Sequence, residues 1–139
     1  MDSIALANMG RLQAFAGDWE RGVVNARRAM DLNPHHPGWY HLPSFYNCYR
    51  LHEYEEALQI AKRINAPGAP LAASFRAATV GKLGRRAEAQ SAIAALEKAD
   101  PAMLQPERLR AAFAIPLWEE QLIDELIDGF LKAKALVET

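Results

Sequence analysis

Ile4, Leu6, Met9, Leu12 and Phe15 recur at helical steps and stop at Gly17, the pattern of an amphipathic helix that exits at a glycine. Asp18 stands where its carboxylate caps a second helix, and Trp19, Val23, Ala26, Ala29, Met30 and Leu32 carry that helix to Asn33-Pro34. The two segments predict a tight antiparallel pair. After the loop HHPG comes the aromatic stretch WYHLPSFYNCYRLH, with Pro43 inside it. Proline lacks the N–H and crowds the carbonyl four residues earlier, so this helix is expected to begin irregularly around Trp39 or Tyr40 and to run to about Leu51. Glu53 precedes YEEALQIAKRI, with Tyr54, Ala57, Leu58, Ala61 and Ile64 on one side, and NAPGAP, Asn65 to Pro70, breaks it. A third pair follows: LAASFRAATVGKL closed by Gly84, then RRAEAQSAIAALEKA closed by Asp100-Pro101. Pro106 starts a short helix through about Ala114 and Pro116 interrupts. Trp118, Leu122, Ile123, Leu126, Ile127, Phe130 and Leu131 form the stripe of a final helix, expected to cap the stack. The expected fold is all-α.

A chain of 139 residues suits a single domain able to bury a core without staples. Half of it is hydrophobic, and 16 basic residues against 17 acidic ones leave a net charge of -1. Backbone binding of nucleic acid rests on a surplus of Lys and Arg, so no nucleic-acid partner is expected. Cys48 is the lone cysteine, which allows no internal disulfide and no thiolate cage and suits a reducing compartment. The N-terminus lacks a basic segment followed by an apolar run, and no stretch approaches the roughly 20 apolar residues of a membrane span. The expected location is cytoplasmic, without a membrane partner. The chain opens inside what reads as its first helix, as a piece of a longer polypeptide would.

The second helices of the three pairs align with one another. Gly22, Ala57 and Ala89 match at intervals of 35 and 32 residues, and Pro34 and Pro101 lie 67 apart, two periods of about 34. On these residues the chain resembles a tetratricopeptide repeat protein. The first repeat carries the family pattern as Leu6, Met9, Gly10 and Gln13, then Gly22, Ala26, Ala29 and Pro34. The second keeps Tyr54, Ala57 and Ala61, has Phe45 at the place of the first-helix glycine, and closes at Pro67 or Pro70; the third keeps Gly84, Ala89 and Pro101, with Ala77 at that place. The repeats are placed at about 3–36, 38–69 and 70–103, with C-terminal helices over 105–136. Positions 8 and 20 of a repeat are where its two helices touch, so small residues are favoured there.

A narrower resemblance rests on NPHHPGWYHLPSFYNCYRLHEYEEALQIAKRINAPG, KLGRRAEAQ and the terminal LIDGFLKAKAL. These are similar to the C-terminal repeat region of bacterial nucleotide cyclases of the adenylate and guanylate cyclase type; comparable regions follow winged-helix domains in transcriptional regulators. No catalytic cyclase segment is present in this sequence. The resemblance implies a non-catalytic docking or regulatory region of a bacterial signalling protein, binding a peptide or helix on its concave face.

In that family the concave face is lined from the first helix of each repeat, here by Ile4, Ala7, Arg11, Ala14 and Phe15, by Trp39, Leu42, Tyr46, Tyr49 and Arg50, and by Leu71, Ser74, Ala78, Gly81 and Lys82. The set expected to bind a partner is Arg11, Phe15, Trp39, Leu42, Tyr46, Tyr49, Arg50 and Lys82, because Trp, Tyr and Arg anchor interfaces most often. Trp39 and Tyr46 read equally well as filler between repeats. The family's Lys/Asn carboxylate clamp is not reproduced, since Ala7 and Arg11 hold two of its places. Two other readings stay open: a small-molecule or enzymatic pocket built from Trp39, Tyr40, Tyr46 and Tyr49, and a homodimer formed through Trp118, Leu122 and Leu126 of the C-terminal helix. His35, His36 and His41 with Cys48 invite a zinc reading, but two neighbours in a loop and a cysteine at a core position argue for no metal. His41 and Ser44 lack an acid and a nucleophile elbow. Glu55-Glu56, Glu119-Glu120, Asp124, Glu125 and Asp128 read as solvated helix faces, as do Arg27-Arg28 and Arg85-Arg86. No catalytic residue and no cofactor is expected.

Overall fold

Helix starts and stops fall at the polar and turn residues in the computed structural model, which describes residues 2–64, 70–114, 117 and 119–139. Every regular element among them is helical. The order is α1 (Ser3–Phe15), α2 (Trp19–Leu32), a 3-10 turn (Gly38–His41), α3 (Leu42–Arg50), α4 (Tyr54–Arg63), α5 (Pro70–Leu83), α6 (Arg86–Ala99), a second 3-10 turn (Pro101–Leu104), α7 (Pro106–Ala114) and α8 (Glu120–Glu138). Pro43 sits in the first turn of α3, where its missing donor is one of the helix orphans anyway. The break at Asn65–Ala69, with Pro67, and the interruption at Pro116 lie outside the described residues. No helix among the described residues is long and apolar enough to cross a membrane.

Consecutive helices pair as α1 with α2, α3 with α4 and α5 with α6, and the three connecting turns share one backbone solution. A left-handed residue closes each first helix: Gly17 at φ 103°, His52 at φ 62° and Gly84 at φ 69°. The next amide then reaches back five residues, Asp18 to the Gln13 carbonyl at 2.9 Å, Glu53 to Cys48 at 2.9 Å and Arg85 to Val80 at 3.2 Å. This is a Schellman-type closure, which satisfies carbonyls that the helix end leaves unpaired. The left-handed residues are spaced by 35 and 32 positions, the intervals of the sequence repeat.

Small residues set the first pair. A Cβ on Gly10 would sit 2.7 Å from the Gly22 carbonyl oxygen, and one on Gly22 would sit 2.6 Å from that of Gly10, so the backbones touch. The buried face of α1 is therefore Leu6, Ala7, Gly10, Ala14 and Phe15. Ile4 and Leu12, expected on the apolar stripe, are exposed, as are Leu32 and Leu131; a stripe of large side chains misses a contact made by small ones. Ala57 and Ala89, at the corresponding place in the other pairs, are fully buried.

An aromatic file ties the pairs together: Phe15 against Tyr46 at 5.7 Å, Tyr46 against Phe75 at 5.5 Å, and Phe75 against Phe113 at 6.1 Å between ring centres. Each ring comes from a different helix, α1, α3, α5 and α7 in turn. The final helix caps the third pair, packing on α5, α6 and α7, and also reaches back across the others. Glu119, at its N-cap, accepts a hydrogen bond from the Trp19 indole at 2.8 Å.

Candidate functional site

The face assigned to a partner is drawn from α1, α3 and α5, and much of it is covered by the chain's own α8. Tyr49, on α3, lies with its hydroxyl 3.2 Å from the backbone carbonyl of Ala78 on α5 and 3.0 Å from that of Glu125 on α8, its single proton shared between them. Gly129 lies against α5 so closely that a Cβ there would sit 3.0 Å from the Ala78 carbonyl carbon and nearer still to the Tyr49 hydroxyl. The Lys82 ammonium, on the last turn of α5, meets Glu125 at 2.7 Å and Asp128 at 2.6 Å. Burial alone pulls this amine down, but its hydrogen bonds to Asp128 and Glu125 outweigh that and hold it above the ordinary lysine value. Hydrogen bonds from Lys82 and then Lys132 hold Asp128 below the ordinary carboxylate value.

These contacts correct the expected site. Phe15, Tyr46 and Tyr49 are buried and so give a partner no surface; burial pushes both tyrosine hydroxyls far above the usual phenol range. Lys82 is taken by α8. Leu42 packs, half-buried, against the main core. Glu125 and Asp128 are not merely solvated, nor is Asp124, which pairs with Arg110; Glu55 likewise pairs with Arg85. Leu122 and Leu126, expected at a dimer interface, are buried within the chain, and Trp118 lies outside the described residues. The rings expected to line a pocket are packed: Tyr40 on Trp39 and His36, Tyr46 on Phe45 and Phe75, Tyr49 on Phe45 and Tyr54.

What stays accessible is a smaller set. Arg11 donates to Asn8 Oδ1 at 3.0 Å and places its guanidinium 5.5 Å from the centre of the half-exposed Trp39 ring. Its Nε is buried with no hydrogen-bond partner. Arg50, exposed at the end of α3, donates to Asn47 Oδ1 at 3.0 Å and lies 5.4 Å from the Trp19 ring centre. Two cation-on-indole pairs thus lie near the covered tyrosines, the Trp19 indole itself being buried. The periodicity marks Trp19 as a core residue, which it is; the carboxylate that engages its indole is a hundred positions away in sequence.

The loop brings two of the histidines together, away from the cysteine. His36 and His41 bring their Nε2 atoms to 3.2 Å. Cys48 is elsewhere, buried on α3, where desolvation, helped by Glu53 and Glu56, pushes its thiol up to about 11. Among the described residues no three His, Cys, Asp or Glu side chains are placed together around one metal position. The chain has no match among protein-family models, among curated proteins or among solved structures.

Proposed function

We propose that this chain is a non-catalytic helical-repeat interaction module of the tetratricopeptide kind, binding an acidic peptide or helix of another protein. Arg11 and Trp39 lead the contact, with Arg50 beside them. The observation that supports this is the seating of α8: the first helices of the hairpins already hold an amphipathic acidic helix, through the Glu125 carbonyl taken by Tyr49 and two carboxylates taken by Lys82. A surface that satisfies one such helix offers the same chemistry to another wherever its arginines and indole remain open. A docking or regulatory role in a bacterial signalling protein, and a cytoplasmic location, belong to this proposal and rest on the sequence resemblance and the lone cysteine.

Selection of displayed peptides on the full chain tests it. Acidic, helix-forming sequences are expected to be enriched, and Trp39→Ala and Arg11→Glu are each expected to abolish their binding while melting stays close to that of the parent. Enrichment of no sequence class, or peptides that bind Trp39→Ala as well as the parent, would overturn the reading.

A further inference from the structure

We propose that the loop joining the first two hairpins carries a site for a divalent transition-metal ion of the copper and zinc type, with His36 and His41 as its protein ligands. Two imidazole nitrogens bound to one such ion, each at about 2.0–2.1 Å, are separated by about 2.9 Å at a right angle and about 3.3 Å at the tetrahedral angle. The observed Nε2 separation of 3.2 Å falls between these limits. The rings meet edge to face, 5.0 Å between centres and 64° between planes, so they are not stacked and the Nε2 atoms are their close point of approach.

The surroundings prepare the pair. His36 Nδ1 lies 2.9 Å from the Asn33 carbonyl oxygen, which only accepts, so a neutral His36 carries its proton on Nδ1 and its lone pair on Nε2. That outer hydrogen bond is the device that orients metal-binding imidazoles. Asn33 also accepts the His35 amide through Oδ1 at 3.2 Å, which fixes the turn. The His36 ring stacks on Tyr40 at 5.6 Å and 14°. The Tyr40 hydroxyl in turn lies 2.9 Å from Ser3 Oγ, which donates to the Ala29 carbonyl at 3.0 Å. Arg63, at the end of α4, is near enough to act electrostatically on His41. Without an ion, His41 Nε2–H donates to His36. Binding transfers that proton to His41 Nδ1, leaving both rings neutral with no net proton released. Arg63 opposes a cation, and among the described residues no third ligand joins, so water or an outside ligand completes the sphere and the affinity is expected to be micromolar.

Cu2+ titrated alone into the full chain at neutral pH is expected to load one ion per chain, with nitrogen hyperfine structure from two imidazoles in the electron paramagnetic resonance spectrum. His36→Gln and His41→Gln should each weaken binding by more than about tenfold, while His35→Gln and His52→Gln leave it unchanged. On the parent chain, independent of how any variant folds, Zn2+ should shift the imidazole proton resonances of His36 and His41 and leave those of His35 and His52 in place. Absence of saturable binding, binding that survives in the double glutamine variant, or Zn2+ shifts confined to His35 or His52 would overturn the site.

Discussion

Gly129→Ala separates close helix contact from ordinary helix propensity, because the two predict opposite signs. In the middle of an exposed helix, replacing glycine by alanine stabilises by about 1 kcal/mol. At Gly129 the new methyl would lie 3.0 Å from the Ala78 carbonyl carbon and inside contact distance of the Ala78 oxygen and the Tyr49 hydroxyl. Both neighbours are held, one in helix backbone and the other by hydrogen bonds of 3.2 and 3.0 Å, so α8 must lift from α5. Overpacking of this kind costs about 1–3 kcal/mol, and a buried hydroxyl deprived of its acceptors adds about 1–2 kcal/mol. Set against the propensity gain, the net loss is about 1–4 kcal/mol, or about 3–16 °C in melting temperature for a chain of this size. Urea unfolding followed by circular dichroism measures it, with Ala94→Gly on the exposed side of α6 as a propensity control. A Gly129→Ala protein as stable as the parent, or more stable, would refute the placement of α8 against α5.

The Lys82 cluster makes the attachment of α8 sensitive to pH at both ends. Asp128 ionises below its ordinary value of 3.8 when folded, so its stabilisation is complete above that value and is lost as pH falls through the lowered one; Lys82 ionises above 10.5, so its share is complete below that and is lost as pH rises through the raised value. Asp128→Asn should flatten the acid limb of a stability profile measured by urea unfolding, and an unchanged limb would show that the pair contributes nothing there. The Cys48 thiol, buried with its pKa pushed up to about 11, should react with a disulfide reagent at neutral pH only at the rate of opening of the structure. Immediate reaction in the native protein would mean that α3 is not packed as described.

The helix ends were legible because proline, glycine and aspartate act locally. Pro106, Gly17, Gly84 and Asp18 each fix a boundary through their own backbone or carboxylate. The equivalent turn at His52 carried no such sign, since a non-glycine residue adopts the left-handed conformation only when the surrounding chain imposes it. The candidate site was legible as a set of positions and illegible as a surface. Periodicity identified the apolar stripe of α8 but not the face on which it lands, so Phe15, Tyr46 and Tyr49 were placed in a groove when the chain covers them itself. The charges held a clue, an acidic i, i+3 pair at Glu125 and Asp128 and one lysine at the end of α5, yet pairing across 43 and 46 positions is a tertiary fact that no local window contains.

The reach of the last helix bears on how the molecule comes apart. Hairpin arrays whose units touch only their neighbours lose order piecemeal, from the ends inward. Here Trp19 is joined to Glu119, and Tyr49 to the Glu125 carbonyl, so the opening hairpin shares its fate with the closing helix. Detachment of the start of α8 would strip contacts from the first two hairpins, so these segments are expected to melt together in a single transition.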